Sequence, residues 1–63
     1  MNNKIKYYRE LKGLSQEELA ETSKISRTTI SGLENGTIKV TTNTTMDKIS
    51  EALGVSTIEL FYT

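Results

Sequence analysis

The sequence predicts an all-α protein of five short helices that form one domain over residues 1–63. Serine caps with matched apolar partners mark the starts of three of the helices. Three of the four glycines follow helical patterns and suit the left-handed backbone that ends a helix. No segment alternates apolar and polar residues for long enough to predict a strand with a partner. A second domain would leave too few residues in each half to bury a core.

The helices have recognisable starts and ends, and in chain order they cover roughly residues 3–12, 16–23, 27–34, 43–53 and 57–61. Ser15 and Ser56 each begin a capping box with the glutamate three residues later, and Ser26 is a plain cap. Thr42 or Thr44 caps the fourth helix, with Thr42 preferred. Apolar residues at helical spacing predict one shared core, made of Ile5, Tyr8, Leu19, Ala20, Ile30, Leu33, Met46, Ile49, Leu53, Leu60 and Phe61.

The charge pattern is informative although eight basic and eight acidic residues give a net charge of zero. Domains that bind nucleic acid are usually basic, so the total does not favour that function. The charges alternate in blocks, however, and residues 1–12 and 24–39 are basic while residues 13–23 and 40–63 are acidic. A basic side opposite an acidic side is therefore predicted. Glu17, Glu18 and Glu21 would form a solvated outer face that cannot face nucleic acid.

Several classes of protein are disfavoured by residues that the chain lacks. It has no cysteine and no histidine, which argues against a disulfide, a conventional zinc site and the usual nucleophilic or acid–base centres. It also has no glycine-rich phosphate-binding loop, so an enzyme is not expected. Its apolar runs are too short for a membrane span or a signal peptide. We expect a cytoplasmic protein with no metal, no cofactor and no small-molecule ligand.

The spacing of the second and third helices points to a function. Only Lys24 and Ile25 separate the end of one helix at Ser23 from the cap of the next at Ser26. Two helices joined so tightly must cross steeply, which is the helix-turn-helix geometry, here over about residues 16–35. The exposed face of the third helix is expected to carry four residues that suit close approach to base edges, Arg27, Thr28, Ser31 and Gly32.

These segments resemble the lambda-repressor-like (Cro/Xre-type) helix-turn-helix family of DNA-binding proteins. The resemblance lies in residues 16–20, 25–31 and 33–36, and continues through Arg9, residues 13–15 and the last two helices. It covers nearly the whole chain. Membership implies a compact five-helix bundle whose third helix enters the major groove of double-stranded DNA. It also implies a homodimer, with Ile58 and Tyr62 on one face of the last helix as the dimer contact.

The resemblance assigns a role to individual residues. Arg27, Thr28 and Gly32 match positions that contact base edges, and Ser31 is a neighbouring base or phosphate contact. Arg9 and Glu34 match a structural ion pair. The positions that match or adjoin phosphate contacts are Gln16, Ser26, Thr29, Asn35 and Lys39. Free N–H groups at helix N-termini independently support phosphate contact near Gln16.

Three positions depart from the family pattern. Lys24 occupies the turn where glycine with positive φ is usual, and a non-glycine residue there costs about 1 kcal/mol. Gly32 lacks the side chain that other members use for readout, and it lowers helix propensity by about 1 kcal/mol relative to alanine. Thr41 stands where proline usually precedes the fourth helix.

Two questions remain open at the level of sequence. A transcriptional repressor that occludes a promoter is the preferred interpretation. The alternative is a helix-turn-helix used as a protein-interaction module, such as an antitoxin or accessory subunit, which zero net charge would suit. The sequence also leaves open whether these residues are a complete protein or the N-terminal part of a longer regulator.

Overall fold

A computed structural model of the chain describes residues 3–62, and this part contains five α-helices. Their bounds are α1 Ile5–Leu11, α2 Gln16–Ser23, α3 Arg27–Asn35, α4 Asn43–Leu53 and α5 Thr57–Phe61. Residues 3–62 contain no strand, and residues 36–42, which connect α3 to α4, are irregular. The predicted fold class, an all-α five-helix bundle, is confirmed. The ends of α1 and α3 differ from the predicted bounds by one or two residues.

The helices begin where the caps were predicted. Ser15 accepts a hydrogen bond from the Glu18 backbone N–H, and the Glu18 carboxylate accepts one from the Ser15 backbone N–H, so this capping box is complete. Ser26 and Thr42 are plain caps of α3 and α4, and their hydroxyl oxygens accept from the backbone N–H groups of Thr29 and Thr45. Ser56 accepts from the Glu59 backbone N–H. Because each cap satisfies an N–H that the helix leaves unpaired, local sequence sets these starts.

One apolar core holds the helices together. Its buried members are Ile5, Leu19, Ile30, Leu33, Met46, Ile49, Leu53, Leu60 and Phe61. Tyr8 and Ala20 were also expected here, and both are only partly buried at the edge of the core. The second helix packs most extensively on α4 and α3, and α5 packs chiefly on α4. This arrangement leaves the first turn of α3 facing solvent.

Tyr8 ties the first helix to the last. Its hydroxyl donates a hydrogen bond to a Glu59 carboxylate oxygen at 2.8 Å. This bond is the main reason that the pKa of Tyr8 is raised above its usual value. The Lys4 backbone N–H also donates to the Leu60 carbonyl at 2.8 Å. The exposed apolar residues of α5 are therefore held in a fixed position relative to α1.

An ion pair between Arg9 and Glu34 joins the first helix to the third. The Arg9 Nε lies 2.7 Å from Oε2 of Glu34 and its Nη2 lies 3.0 Å from Oε1, so the contact is bidentate. The third donor of the guanidinium, Nη1, binds the Leu14 carbonyl at 2.7 Å. The side chains are only 11 % and 4 % exposed. The hydrogen bond to Glu34 raises the pKa of Arg9, although burial acts against it. The structural pair predicted from the sequence is present.

The turn between α2 and α3 is made by a residue in the left-handed conformation. Lys24 has φ +62°, and it is the single non-glycine residue with positive φ between residues 3 and 62. Lys24 therefore adopts the left-handed conformation that the family pattern usually gives to glycine, and its backbone is strained. Gly13, Gly36 and Gly54 have φ of +70°, +86° and +67°, as expected for residues that end helices.

Replacing Lys24 by glycine is expected to stabilise the protein. Removing the left-handed strain of a residue with a Cβ should outweigh the greater entropy of glycine in the unfolded chain, for a net gain of about 0.5–1 kcal/mol. Urea unfolding followed by circular dichroism measures the change in midpoint. Gly36→Ala is the matched control, since a Cβ there meets no atom within 4 Å and only backbone strain is added; it should lose stability by a similar amount.

Removing Glu34 is expected to unfold much of the protein. Glu34→Ala leaves the buried Arg9 guanidinium without its carboxylate, which typically costs about 3–5 kcal/mol. Glu21→Ala removes an exposed carboxylate from α2 and should change stability by no more than about 0.5 kcal/mol. Thermal and urea unfolding of both variants provide the comparison. Equal stability of the two would show that the ion pair does not hold α1 against α3.

Candidate nucleic-acid interface

The first turn of α3 presents two exposed side chains, Arg27 and Thr28. Ser26 positions this turn, because its Oγ accepts from the Thr29 N–H at 3.2 Å and bonds to the Thr29 hydroxyl at 2.9 Å. Ser31 lies one turn further along and is half-buried. The helix start is thus locally fixed, and its first polar side chains project into solvent.

An open groove runs between α3 and the segment that follows it. The residues that line its walls are Arg27, Thr28, Ser31, Asn35, Thr37 and Ile38. Gly32 lies at its base. The structure therefore brings the four predicted base-contact positions into one groove. It adds Thr37 and Ile38, which sequence reasoning did not single out.

Gly32 is buried, so the expectation that it lies on the exposed face of α3 is wrong. A Cβ at this position would lie 2.5 Å from both Cγ1 and Cδ1 of Ile38, and 3.3 Å from the Ile38 Cβ. The Ile38 backbone N–H donates to the Gly32 carbonyl at 3.0 Å. A side chain at residue 32 would therefore collide with Ile38 unless the Ile38 side chain moved. The sequence does carry a signal for this contact. Gly32 is a glycine inside a helix, and Ile38 follows it six residues later in a polar loop.

The five residues assigned to phosphate contacts lie at helix ends or beyond them. Ser26 and Thr29 lie at the start of α3, and Asn35 ends it. The Asn35 Oδ1 accepts from both the N–H and the hydroxyl of Thr37, at 3.0 and 2.8 Å, which orders the loop. Lys39 is exposed in that loop.

Gln16 opens α2 and is already engaged within the protein. Its Nε2 donates to the Glu34 Oε1 at 3.1 Å, so it joins the ion pair with Arg9. The side chain is half-buried. A network of three side chains consequently fixes the start of α2 against the end of α3.

Glu17 lies beside the groove, so the expectation that it faces away with Glu18 and Glu21 is wrong. Its Oε1 lies 3.4 Å from Nη1 of Arg27. This contact lies between the start of α2 and the start of α3. Both side chains are largely exposed, 61 % for Arg27 and 74 % for Glu17, and exposed pairs of this kind contribute only about 0–1 kcal/mol. Arg27 is therefore oriented by Glu17 but remains free to bind elsewhere.

The basic side predicted from the charge blocks loses part of its charge in the fold. Arg9 is buried and paired with Glu34. Lys12 points towards the end of α4, where its Nζ lies 3.7 Å from the position of a Cβ on Gly54. Among the residues that line the groove, Arg27 supplies the positive charge. The interface is locally polar with one strong donor.

Residues 3–62 contain no group of three or more His, Cys, Asp or Glu side chains that could hold a metal ion. Every helix in this part of the chain is too short or too polar to cross a membrane.

Comparison with known proteins agrees with this geometry. A sequence model of a helix-turn-helix family matches residues 5–60. The chain is also 39 % identical over 61 residues to an uncharacterised HTH-type transcriptional regulator of Methanocaldococcus jannaschii. That alignment covers 97 % of this chain and 91 % of the archaeal protein. The capped helices α2 and α3 joined by a tight turn at Lys24, the buried Arg9–Glu34 pair and these matches together place the chain in the Cro/C1-type helix-turn-helix family of transcriptional regulators.

Proposed function

We propose that the protein is a cytoplasmic transcriptional repressor that binds an operator in double-stranded DNA as a homodimer. The observation that carries this proposal is the groove at the start of α3, where Arg27 and Thr28 project from a capped helix turn. A helix in this orientation presents its N-terminal side chains to base edges in the major groove. Repression would follow from occlusion of the promoter and needs no chemistry.

Arg27 is the principal base-reading residue in this proposal. Arginine donates two hydrogen bonds to O6 and N7 of guanine, the most common specific contact in the major groove. The weak pair with Glu17 can give way to that contact at little cost, since both side chains are mostly solvated. Thr28 and Ser31 offer hydroxyl groups to neighbouring bases or phosphates.

The phosphate contacts are assigned to both ends of α3 and to the start of α2. Backbone N–H groups at the start of a helix bind phosphate, and Ser26 and Thr29 stand at that point. Asn35 and Lys39 follow at the other end, and Gln16 lies at the start of α2. These contacts would set the position of α3 on the duplex without reading sequence.

The size of the molecule suits a homodimer formed through α5. Half-sites one helical turn apart place the two recognition helices about 34 Å from each other, so each lies about 17 Å from the twofold axis. The described part of the chain measures 23 × 21 × 19 Å. Two copies in direct contact can therefore span the half-sites. Ile58 on α5 and Tyr62 just after it are 62 % and 66 % exposed, and α5 packs chiefly on α4.

A second function is favoured by one observation, the net charge of zero. A helix-turn-helix domain with a single cation in its groove is also suited to binding another protein. The two functions differ in their response to salt. Affinity for DNA falls steeply as salt rises, because phosphate contacts release counterions. Selection from a pool of random duplexes, followed by titration at several salt concentrations, distinguishes them; absence of any duplex binding would favour the interaction module.

Arg27→Ala is expected to lower affinity for the selected operator by about 1–3 kcal/mol, because a bidentate contact to guanine is lost. Binding to unrelated duplexes should change far less. Lys48→Ala is the matched control, since it removes an equal charge from the separate groove between α2 and α4. Fluorescence anisotropy with both duplexes measures the effect. Similar losses for the two variants would remove Arg27 from the reading of bases.

Ile58→Asp is expected to prevent dimer formation, because it places a charge on each side of the proposed twofold contact. Sedimentation velocity measures the loss of dimer, and operator binding should weaken with it. Val40→Asp is the control for dimer formation alone, since Val40 is 84 % exposed but lies in the loop before α4, next to the proposed phosphate contact Lys39. A variant at Ile58 that still forms dimers would exclude α5 as the contact.

A further inference from the structure

The side chain of Ile38 takes the place that a side chain on residue 32 would occupy. Residues 28 and 32 are four apart on α3, so their side chains would lie on one face, one above the other. Because residue 32 is glycine, no side chain of α3 follows that of Thr28 on this face. The Ile38 Cγ1 and Cδ1 come within 2.5 Å of where the missing Cβ would be. The loop thus supplies an apolar group on the face of the helix that is proposed to meet the bases.

Ile38 is held in this position by several contacts. Its backbone N–H binds the Gly32 carbonyl at 3.0 Å. The preceding residue, Thr37, donates from both its N–H and its hydroxyl to the Asn35 Oδ1. The side chain also packs against the edge of the core. A ligand that meets Ile38 would therefore meet an ordered surface, which lowers the entropic cost of binding.

Ile38 is only partly buried by the core. Its side chain is half-buried, and it lines the same groove as Arg27, Thr28 and Ser31. One side of the isoleucine packs on the helix backbone, and the other faces the groove. A residue that served the core alone would be covered, as Ile30 and Leu33 are.

We propose that Ile38 determines specificity by contacting the C5 methyl group of a thymine, a proposal that rests on the DNA-binding function proposed above. The edges of base pairs in the major groove present hydrogen-bond donors and acceptors, and the thymine methyl is their apolar feature. An isoleucine against a donor or acceptor would remove water from it without giving a partner, which is unfavourable. The loop after α3 therefore reads one base pair next to those read by Arg27 and Thr28.

The test uses the operator obtained from the random pool, with each thymidine replaced in turn by deoxyuridine. This replacement removes only the C5 methyl group. At one position in a half-site, wild-type affinity should fall about fourfold, the factor that corresponds to burial of one methyl group. Ile38→Ala should bind the duplex with thymidine at that position and the duplex with deoxyuridine there with equal affinity. Val40→Ala, which shortens an exposed residue of the same loop, should keep the fourfold difference.

Thr28→Ser distinguishes the two apolar groups that could contact the thymine methyl, the Thr28 methyl and the Ile38 side chain. It removes the methyl of Thr28 and keeps the hydroxyl. If the sensitivity to deoxyuridine disappears in this variant and persists in Ile38→Ala, the contact belongs to α3 and the proposal is overturned. Equal sensitivity in the wild type and in Ile38→Ala at every position overturns it as well.

Three further outcomes are distinguishable. If Ile38→Ala does not fold, as judged by circular dichroism, Ile38→Val provides the comparison and should reduce the sensitivity without abolishing it; undiminished sensitivity in that variant contradicts the proposal. If no duplex is selected at all, the proposed DNA-binding function fails and this inference fails with it. An operator that binds well but shows no deoxyuridine effect overturns only the role of Ile38.

Discussion

The bidentate pair between Arg9 and Glu34 is the interaction on which the arrangement of α1, α2 and α3 depends. All three nitrogen atoms of the guanidinium donate, two to Glu34 and one to the Leu14 carbonyl. The same carboxylate also accepts from Gln16 at the start of α2. A buried charge that loses its partner is costly, so other orientations of the three helices are disfavoured. The orientation of α3, and with it the direction of Arg27 and Thr28, follows from this network.

The close packing of Ile38 on Gly32 extends the groove beyond the helix. Glycine in the middle of α3 costs about 1 kcal/mol of helix propensity, which the contact with Ile38 and its backbone hydrogen bond can offset. The groove consequently has one wall made by the helix and one made by the loop. A larger residue at position 32 would displace that loop. In the proposed complex with DNA, affinity and sequence preference would depend on both segments, so the loop would do more than connect α3 to α4.

The charges of the molecule explain how a neutral domain can still bind DNA selectively. Arg9 is neutralised inside the protein, and Arg27 lies beside Glu17. Long-range attraction to phosphate is therefore weak, since it depends on net charge around the groove. In the proposed dimer, short-range contacts at α3 and the binding of two half-sites would supply most of the affinity. Such a dimer would discriminate strongly between operator and bulk DNA.

Much of the secondary structure could be predicted because its signals are local. Ser15, Ser26 and Thr42 cap helices through bonds to residues three positions away, and Gly36 and Gly54 end helices through their own backbone freedom. The apolar spacing also gave nearly all of the core. Tyr8 was less buried than predicted because its hydroxyl reaches Glu59 at the surface.

The functional surface was predicted less completely because it depends on contacts between distant segments. Sequence alone determined the five helices, the tight turn at Lys24 and the presence of Arg27 and Thr28 in the first turn of α3. Only the tertiary structure decided that Gly32 is covered by Ile38 and that Glu17 stands beside Arg27. Helix propensity and capping act over three or four residues. The crossing of α2 with α3 and the packing of a loop on a helix depend on how the whole core is filled.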